Sequence, residues 1–422
     1  MRTIINSSVQ LSWSGNPLRG TAHLPASKSE SNRALILQAL AGGGHLDNLS
    51  DANDTQLMQR LLADPTATEV DAEDAGTVMR FLTAYLAITN REALLTGTAR
   101  AQERPIGILV DALRELGADI GYEKEEGYPP LRLRGWQGIE QGKDSVADST
   151  ELIELKVRGD ISSQYISALL MIGPMLPNGL RLWLTGKVGS RPYIRMTMAL
   201  MQHFHGDCRD LGTALEARPS RYQPADYTIE SDWSAASYWY AMVALAPAGS
   251  HLTLPGLRRY SWQGDQAIVD IMAKLGVHTE FLTDGVRLTQ TTPTGGFTQD
   301  FTDCPDLAQT IAVVAAALDV PVVMTGLESL RIKETDRIFA LQTELANFGA
   351  FLTEEEAGHF RVSTESFHVG GQIVATYHDH RMAMAFAPLA LRGPITVDSP
   401  QVVRKSYPQF WLELEKAGFG VV

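Results

Sequence analysis

Five glycines punctuate the chain at a near-regular interval. Gly117, Gly206, Gly276, Gly349 and Gly418 each follow an amphipathic run and precede a strand-like one, in "LVDALRELGADIGYE", "MTMALMQHFHGDC", "IVDIMAKLGVHTEFL", "ALQTELANFGAFLTEE" and "FWLELEKAGF". Glycine after the last apolar turn is the usual stop of a helix. The spacings are 89, 70, 73 and 69 residues. "DTQLMQRLLADPTATEV" reads as a sixth, degenerate copy, with Pro65 in place of the glycine. A second kind of helix alternates with these. It starts on a small or acidic polar cluster and then runs apolar: "ASKSESNRALILQALAG", "EDAGTVMRFLTAYLA", "RGDISSQYISALLMIG", "ESDWSAASYWYAMVALA", "DCPDLAQTIAVVAAAL" and "YHDHRMAMAFAPLAL". Each reads as an N-cap ahead of a helix. A helix apolar nearly all round belongs inside a domain. Short alternating strands such as "LRLRGW", "GLRLWLTG", "HLTLPGL" and "VRLTQT" lie between the helices. Two helices and several strands recurring about every 70 residues predict six similar αβ units. The competing reading is an ordinary α/β protein with helix, glycine and strand at this rhythm. A solenoid fits less well, because each unit is long and carries its own sheet.

With 422 residues the chain exceeds one ordinary core, so two domains are expected. Its net charge of −13 argues against a general nucleic-acid or anionic-membrane binder, whose affinity comes from many cation–phosphate contacts. A locally basic site for a small anion remains compatible with an acidic surface. Two cysteines, Cys208 and Cys304, make neither a disulfide framework nor a CxxC metal pattern. The stretch "MRTIINSSVQLSWSGNPLRG" has no apolar core of a signal peptide. The most apolar run, "TIAVVAAALDVPVVMTG", is broken by Asp319 and Pro321 and is too short to span a bilayer. A cytoplasmic protein is expected.

The helix starts carry unusual polar cargo. "SKSESNR" holds Lys28, Ser29 and Arg33, either a solvated basic pair or a ligand site for an anion. "DAGTVMR" puts Gly76 and Thr77 at a start, with Arg80 a turn later. Glycine there permits close approach to the backbone, although taken alone the motif reads better as a capping turn. "DISSQY" supplies Ser162, Ser163 and Gln164, and "GSRPY" supplies Ser190 and Tyr193. Arg104 in "AQERPIGILVDAL" precedes a helix whose dipole it would oppose, so it is expected to reach a ligand or partner. Asp306 follows a proline in "DCPDLAQT", where an N-cap is the plain alternative. "YHDHRMAM" gives His378, Asp379, His380 and Arg381, without a third metal ligand at usual spacing. "IKETDR" and "VVRKSYP" add Lys333, Glu334, Arg337, Arg404 and Lys405. Lys333 and Arg337, four apart, are expected on one helix face. Together these starts predict a cationic cleft with embedded acids, suited to small polyanions and proton transfer.

In this order the motifs resemble the EPSP synthase family of enolpyruvyl transferases, over nearly the whole chain. "SKSxSNRAL", "AGTxMR", "ERPIGxLVDAL", "IKETDR" and "DHRMAM" carry the resemblance as a set. It implies an α/β fold of two domains, an inside-out α/β barrel of six βαβαββ-type repeats, three per domain, with pseudo-threefold symmetry. The first domain would be discontinuous, residues 1–24 plus 231–422, and the second would be 25–230, with the active site in the cleft between them. The implied reaction moves the enolpyruvyl group of phosphoenolpyruvate to the 5-hydroxyl of shikimate 3-phosphate, in chorismate and aromatic amino-acid biosynthesis. By resemblance Lys28, Ser29, Arg33, Ser162, Ser163, Gln164, Ser190, Asp306 and Lys333 hold shikimate 3-phosphate. Phosphoenolpyruvate, and the inhibitor glyphosate that competes with it in the family, would lie against Lys28, Gly76, Arg104, Gln164, Arg337, Arg381 and Lys405. Asp306 and Glu334, with Lys28, would be the catalytic proton-transfer groups.

Four positions depart from the commoner family pattern: Glu30, Asp74, Arg191 and Ser329. The resemblance calls for no cofactor and no bound metal, for small-molecule substrates as the only partners, and for a monomer. Two alternatives remain. One is UDP-N-acetylglucosamine enolpyruvyl transferase, which shares the fold but has a loop cysteine and a "KNAA" first motif. Cys208 precedes no such loop, and "SKSESNR" is intact. The other is an inactive anion-binding repeat scaffold, which predicts loss of the acids.

Overall fold

The structure, a computed structural model, describes residues 7–136, 151–159 and 162–422. The chain divides into two compact units. One comprises residues up to Ser27, Asp51–Asn53 and Glu230–Val422; the other comprises Lys28–Ser50 and Asp54–Ile229. Both mix helices with small sheets.

Five four-stranded sheets share one plan. In the first unit, Phe297–Asp300 pairs parallel with Val322–Thr325, which pairs antiparallel with His359–Thr364, which pairs antiparallel with Ala350–Glu356. The parallel pair needs a crossover, and the helix Ala308–Ala317 supplies it. The helix Arg337–Ala346 then leads into the closing hairpin. The same order of parallel pair, then antiparallel partner, then antiparallel edge holds for the sheet of Arg19–Thr21, His251–Leu254, Val286–Gln290 and Val277–Phe281. It also holds for two sheets of the second unit, built around Ala93–Thr96 and around Leu180–Thr185. In the remaining four-stranded sheet the closing strand comes from the other end of the chain. Ser8–Ser12 inserts between Ile395–Asp398 and Gly420–Val421. A two-stranded parallel pair, Tyr227–Thr228 with Leu46–Asp47, completes the second unit's sheets among the described residues.

The helices with polar starts are the buried ones. In the first unit Trp233–Leu245, Ala308–Ala317 and His380–Phe386 pack on one another. Every residue of Ala308–Ala317 except its C-terminal Ala317 is buried. In the second unit Gly76–Ile88 and Ser163–Ile172 pack together, and Lys28–Ala41 packs on Gly76–Ile88 and on Arg191–His203. Such helices are rich in Ala and Leu because side chains on every face must fit between neighbours. The glycine-stopped helices behave as amphipathic covers. Gly117, Gly276, Gly349 and Gly418 adopt φ of 101°, 87°, 75° and 102°, the left-handed turn that ends a helix. At the second marker His205 takes that conformation instead, with φ 66°. Gly206 is required there for another reason: a Cβ would lie 2.6 Å from the Tyr222 ring.

The first unit's segments ending at Ser27 and resuming at Glu230 meet side by side. Ser27 N donates to Glu230 O (2.8 Å), and Asp232 N donates to Pro25 O (2.9 Å). The buried Glu230 carboxylate fastens the neighbouring loop, accepting from Trp233 Nε1 (2.8 Å), Arg258 N (2.8 Å) and Ser261 Oγ (2.6 Å). Burial pushes its pKa up, against those donors.

Trp239 anchors the first unit's core. It is fully buried, and its Nε1 meets the Tyr407 hydroxyl at 3.2 Å. Trp239→Ala is expected to remove about 3–5 kcal/mol of stability. Urea unfolding checks this, and a loss under about 1 kcal/mol would show that the core collapses around the gap.

Candidate functional site

Each unit gathers one set of the polar residues singled out above. In the first unit the set is built on Arg337, the first residue of its helix and nearly wholly buried. Asp336 caps that helix, accepting from Ile338 N and Phe339 N at 3.1 Å each. Arg337 Nε donates to Asp379 Oδ2 at 2.7 Å, Nη1 to Asp306 Oδ1 at 2.9 Å and Nη2 to Glu334 Oε2 at 2.9 Å. One planar guanidinium therefore holds three carboxylates. Arg381 Nη2 takes the other Asp306 oxygen at 2.7 Å, and Lys405 Nζ lies 3.4 Å from Glu334 Oε1. Asp379, fully buried, also caps its own helix through Arg381 N (2.8 Å).

The charges decide the protonation states. Burial alone would push Asp306 up, but Arg381, Lys333 and Arg337 outweigh it and hold the carboxyl well below its usual range. Burial lowers Arg337 as well, yet Asp379, Glu334 and Asp306 raise it above the ordinary value. Burial is the main cause of a lowered Lys333. A further carboxylate, Asp265, is pushed up to about 7, chiefly by burial and then by the charge of Asp306, with Arg381 opposing. Ser234 Oγ donates to it.

Lys333 does not share a helix face with Arg337. The helix begins at Arg337, and Lys333 follows a short 3-10 turn, Glu328–Ile332, with extended ψ of −148°. The cap at Asp336 stops the helix from reaching back, so the "IKETDR" side chains are presented from a bend. Asp306 is not an N-cap either. It lies within the 3-10 turn Pro305–Leu307.

In the second unit Lys28, first residue of its helix, pairs with Asp54 at 3.1 Å. Arg33 is buried. Its Nε donates to Thr197 Oγ1 (2.7 Å), Nη1 to Ser29 O (2.9 Å) and Nη2 to Ser167 Oγ (3.1 Å). It faces the Phe81 and Tyr193 rings at 5.3 and 5.9 Å. These partners are neutral, and burial pushes its pKa down to about 10. An uncompensated buried charge is costly to desolvate. Ser162 caps Ser163–Ile172 through Gln164 N (3.3 Å). Gln164 Nε2 donates to Thr77 Oγ1 (2.8 Å), and its Oε1 accepts from Arg80 Nη1 (2.7 Å). Gly76, Arg80, Arg104, Pro105 and Ile106 line one small hollow, with Met79 and Ala101. Ser190 opens the helix Arg191–His203 in the left-handed region, φ 55°, and its side chain makes no cap bond.

The family model for EPSP synthase (3-phosphoshikimate 1-carboxyvinyltransferase) matches residues 59–414. The chain belongs to the EPSP synthase family. The 3-phosphoshikimate 1-carboxyvinyltransferase of Bacteroides fragilis (strain YCH46) is 48% identical over 411 residues, 96% of each chain. That of Erwinia tasmaniensis is 37% identical over 428 residues, 94% of this chain and 96% of its own. Among solved structures, an EPSP synthase from Acinetobacter baumannii aligns with a TM-score of 0.79 at 20% identity, covering 98% of this chain and 100% of its own. The enolpyruvyl transferase NikO from Streptomyces tendae aligns at 0.71 and 16% identity, covering 98% of both chains. At such identities these two show the fold, which is mixed α/β.

Several residues of this family member went unassigned in the sequence. Asp379 was visible inside "YHDHRMAM", but nothing in a linear pattern shows that it anchors Arg337. Asp54, Ser167 and Thr197 are likewise found only through their partners, and Thr77 and Arg80, visible in "DAGTVMR", show their link to Gln164 only in the structure. Three of the family departures have local explanations. Glu30 accepts from the Tyr227 hydroxyl, Asp74 accepts from Thr98 Oγ1, and Arg191 donates to Gly212 O (2.8 Å) and faces Asp210 (3.7 Å). Nothing in the structure explains Ser329.

Asp265 gives a pH test. The unfolded carboxyl ionises near 3.8 and the folded one near 7. Between those values the folded state keeps a proton that the unfolded state has lost, so this group's contribution to stability falls as pH rises. The slope approaches ~1.4 kcal/mol per pH unit. Asp265→Asn should therefore gain stability relative to wild type from pH 4 to 7 and level off above. Urea unfolding across that range measures it, and parallel pH profiles would refute it.

Proposed function

We infer that the chain is a 3-phosphoshikimate 1-carboxyvinyltransferase. It transfers the enolpyruvyl group of phosphoenolpyruvate to the 5-hydroxyl of shikimate 3-phosphate, releasing phosphate. The observation that carries the chemistry is the shared guanidinium: Arg337 holds Asp306 and Glu334 at 2.9 Å each, side by side. The two sets of residues are read as acting on one substrate pair. Each domain is read as three βαβαββ units of an inside-out α/β barrel, which the recurring strand order supports. The two-stranded pair would be the reduced copy. The enzyme works as a monomer in the cytoplasm. No described helix is long and apolar enough to cross a membrane.

Shikimate 3-phosphate supplies the anion that buried Arg33 lacks, with Lys28, Ser29, Ser162, Ser163, Gln164 and Ser190 around it and Asp306 and Lys333 at its ring hydroxyls. Phosphoenolpyruvate takes Lys28, Gly76, Arg104 and Gln164 at one end and Arg337, Arg381 and Lys405 at the other. Asp306 and Glu334 pair with the cations that the substrate carboxylate needs. Binding therefore exchanges one set of carboxylates for another. As the cations turn to substrate, Asp306 loses the charges that hold its pKa down and becomes a stronger base.

A proton passes through Glu334 to C3 of phosphoenolpyruvate, leaving C2 electrophilic. The 5-hydroxyl oxygen bonds to C2 while Asp306, with Lys28, takes its proton. In the tetrahedral adduct the C2–O bond to phosphate then breaks. A proton leaves C3 by the same groups, giving the enol ether and inorganic phosphate. Holding both substrates in reacting geometry supplies up to ~7–11 kcal/mol.

Asp306→Asn and Glu334→Gln should each lower turnover ~10²–10⁴-fold while shikimate 3-phosphate affinity stays within about tenfold. Phosphate release and calorimetry read the two quantities. Near-wild-type turnover in both variants would remove the acids from the mechanism, and a wild-type chain inactive on this substrate pair would overturn the assignment.

Gly76 gives a second test. An added methyl would lie 2.8 Å from Arg80 Nη1 and 2.9 Å from Arg104 Nη1, so both guanidinium groups must shift. A methyl-sized misfit is worth ~1–3 kcal/mol, and the longer ligand suffers more. Gly76→Ala should raise the inhibition constant of glyphosate by a larger factor than the KM of phosphoenolpyruvate. Equal factors in a competition assay would mean that Gly76 does not border the shared pocket.

A further inference from the structure

Two guanidinium groups converge on the first turn of Gly76–Ile88. The Arg80 and Arg104 Nη1 atoms lie 2.8 and 2.9 Å from the point where a Gly76 side chain would begin. Ala75, the residue before that helix, makes no side-chain cap bond. The helix N–H groups at that turn favour an anionic ligand. Arg80 has neutral partners: the Gln164 amide oxygen at 2.7 Å and the Tyr165 ring at 5.1 Å. Its Nε is buried and makes no hydrogen bond among the described residues. Gln164 is in turn held at both ends, by Arg80 and by Thr77. The Tyr165 hydroxyl under Arg80 donates to Pro105 O at 2.6 Å, beside Arg104.

We propose that Arg80 is a positioning residue for the enolpyruvate half of the reaction. It fixes the Gln164 amide and, with Arg104, frames a two-guanidinium cradle over Gly76 for the phosphate group of phosphoenolpyruvate. This rests on the assignment of Gly76, Arg104 and Gln164 to that substrate. The helix places Arg80 one turn after Gly76, so its stem runs along the helix and its fork returns to the N-terminus. Lysine cannot reproduce this, because a point charge lacks the second arm that holds the amide.

Steady-state kinetics of Arg80→Met and Arg80→Lys test it. Arg80→Met should raise the KM of phosphoenolpyruvate about 10- to 100-fold, the usual effect of losing a charged hydrogen bond. Shikimate 3-phosphate affinity, read by calorimetry, should stay within about threefold, a split that general loss of structure would not give. Arg80→Lys should fall between Arg80→Met and wild type. A KM within about twofold of wild type in both variants would overturn the proposal. A double-mutant cycle with Gly76→Ala adds an independent readout. Because one cradle is disturbed twice, the combined rise in KM should be smaller than the product of the single rises; a full product would overturn the shared cradle. Wild type is assayed alongside. If it fails to turn over the pair, the functional assignment falls; if it succeeds and the Arg80 variants match it, only the role of Arg80 falls.

Discussion

The contact of Arg337 Nε with Asp379 Oδ2, at 2.7 Å, is the interaction on which the first unit's polar cluster depends. Both partners are buried, and neither is stable there alone, since an isolated interior charge costs several kcal/mol. With Nε tied back, the two Nη groups point in a fixed direction, and Asp306 and Glu334 line up on them. Asp379 also starts the helix that carries Arg381, so the cation on the far side of Asp306 is set by the same carboxylate. Four chain segments, around residues 306, 334–337, 379–381 and 405, are thus registered through one guanidinium. Packing supplies the platform: three largely apolar helices meet, with Trp239 Nε1 paired to the Tyr407 hydroxyl and Ser237 to Thr310.

That division explains what the sequence made legible. Apolar helices and glycine stops are local patterns, so the buried helices, their covers and the strands between them could be read from spacing alone. The polar starts could be read too, because a lysine, arginine or acid ahead of an apolar run is conspicuous. What a linear pattern cannot carry is who pairs with whom. Asp54 and Asp379 look like any helix-start acid until Lys28 and Arg337 are found against them. Arg33 looks like a surface cation until it is found buried against Thr197, Ser29 and Ser167. The helix expected through Lys333 failed for a local reason, a strong cap at Asp336 that charge spacing does not reveal. Gly206 failed more gently: a glycine stop was expected, and the glycine is there, but His205 turns the chain and Gly206 makes room for Tyr222.

In the first unit the cations are paired with acids: Arg337 with Asp379, Asp306 and Glu334, and Arg381 with Asp306. The second unit does it differently, with Arg33 and Arg80 resting on hydroxyl, amide and ring partners.

The strand Ser8–Ser12 carries a consequence for synthesis. Its two neighbours are Ile395–Asp398 and Gly420–Val421, so it leaves the ribosome almost a whole chain ahead of any partner. The segments Lys28–Ser50 and Asp54–Ile229, by contrast, emerge early enough to settle while translation continues. The first unit must wait. Its sheet closes only when Ile395–Asp398 and Gly420–Val421 appear, and the loop that closure spans runs from Ser12 to Ile395, the kind of long-range pairing that slows folding. Until then an unpaired edge stays open at the N-terminus, with Trp13 just beyond it, to be sheltered by chaperones or left to find the wrong partner.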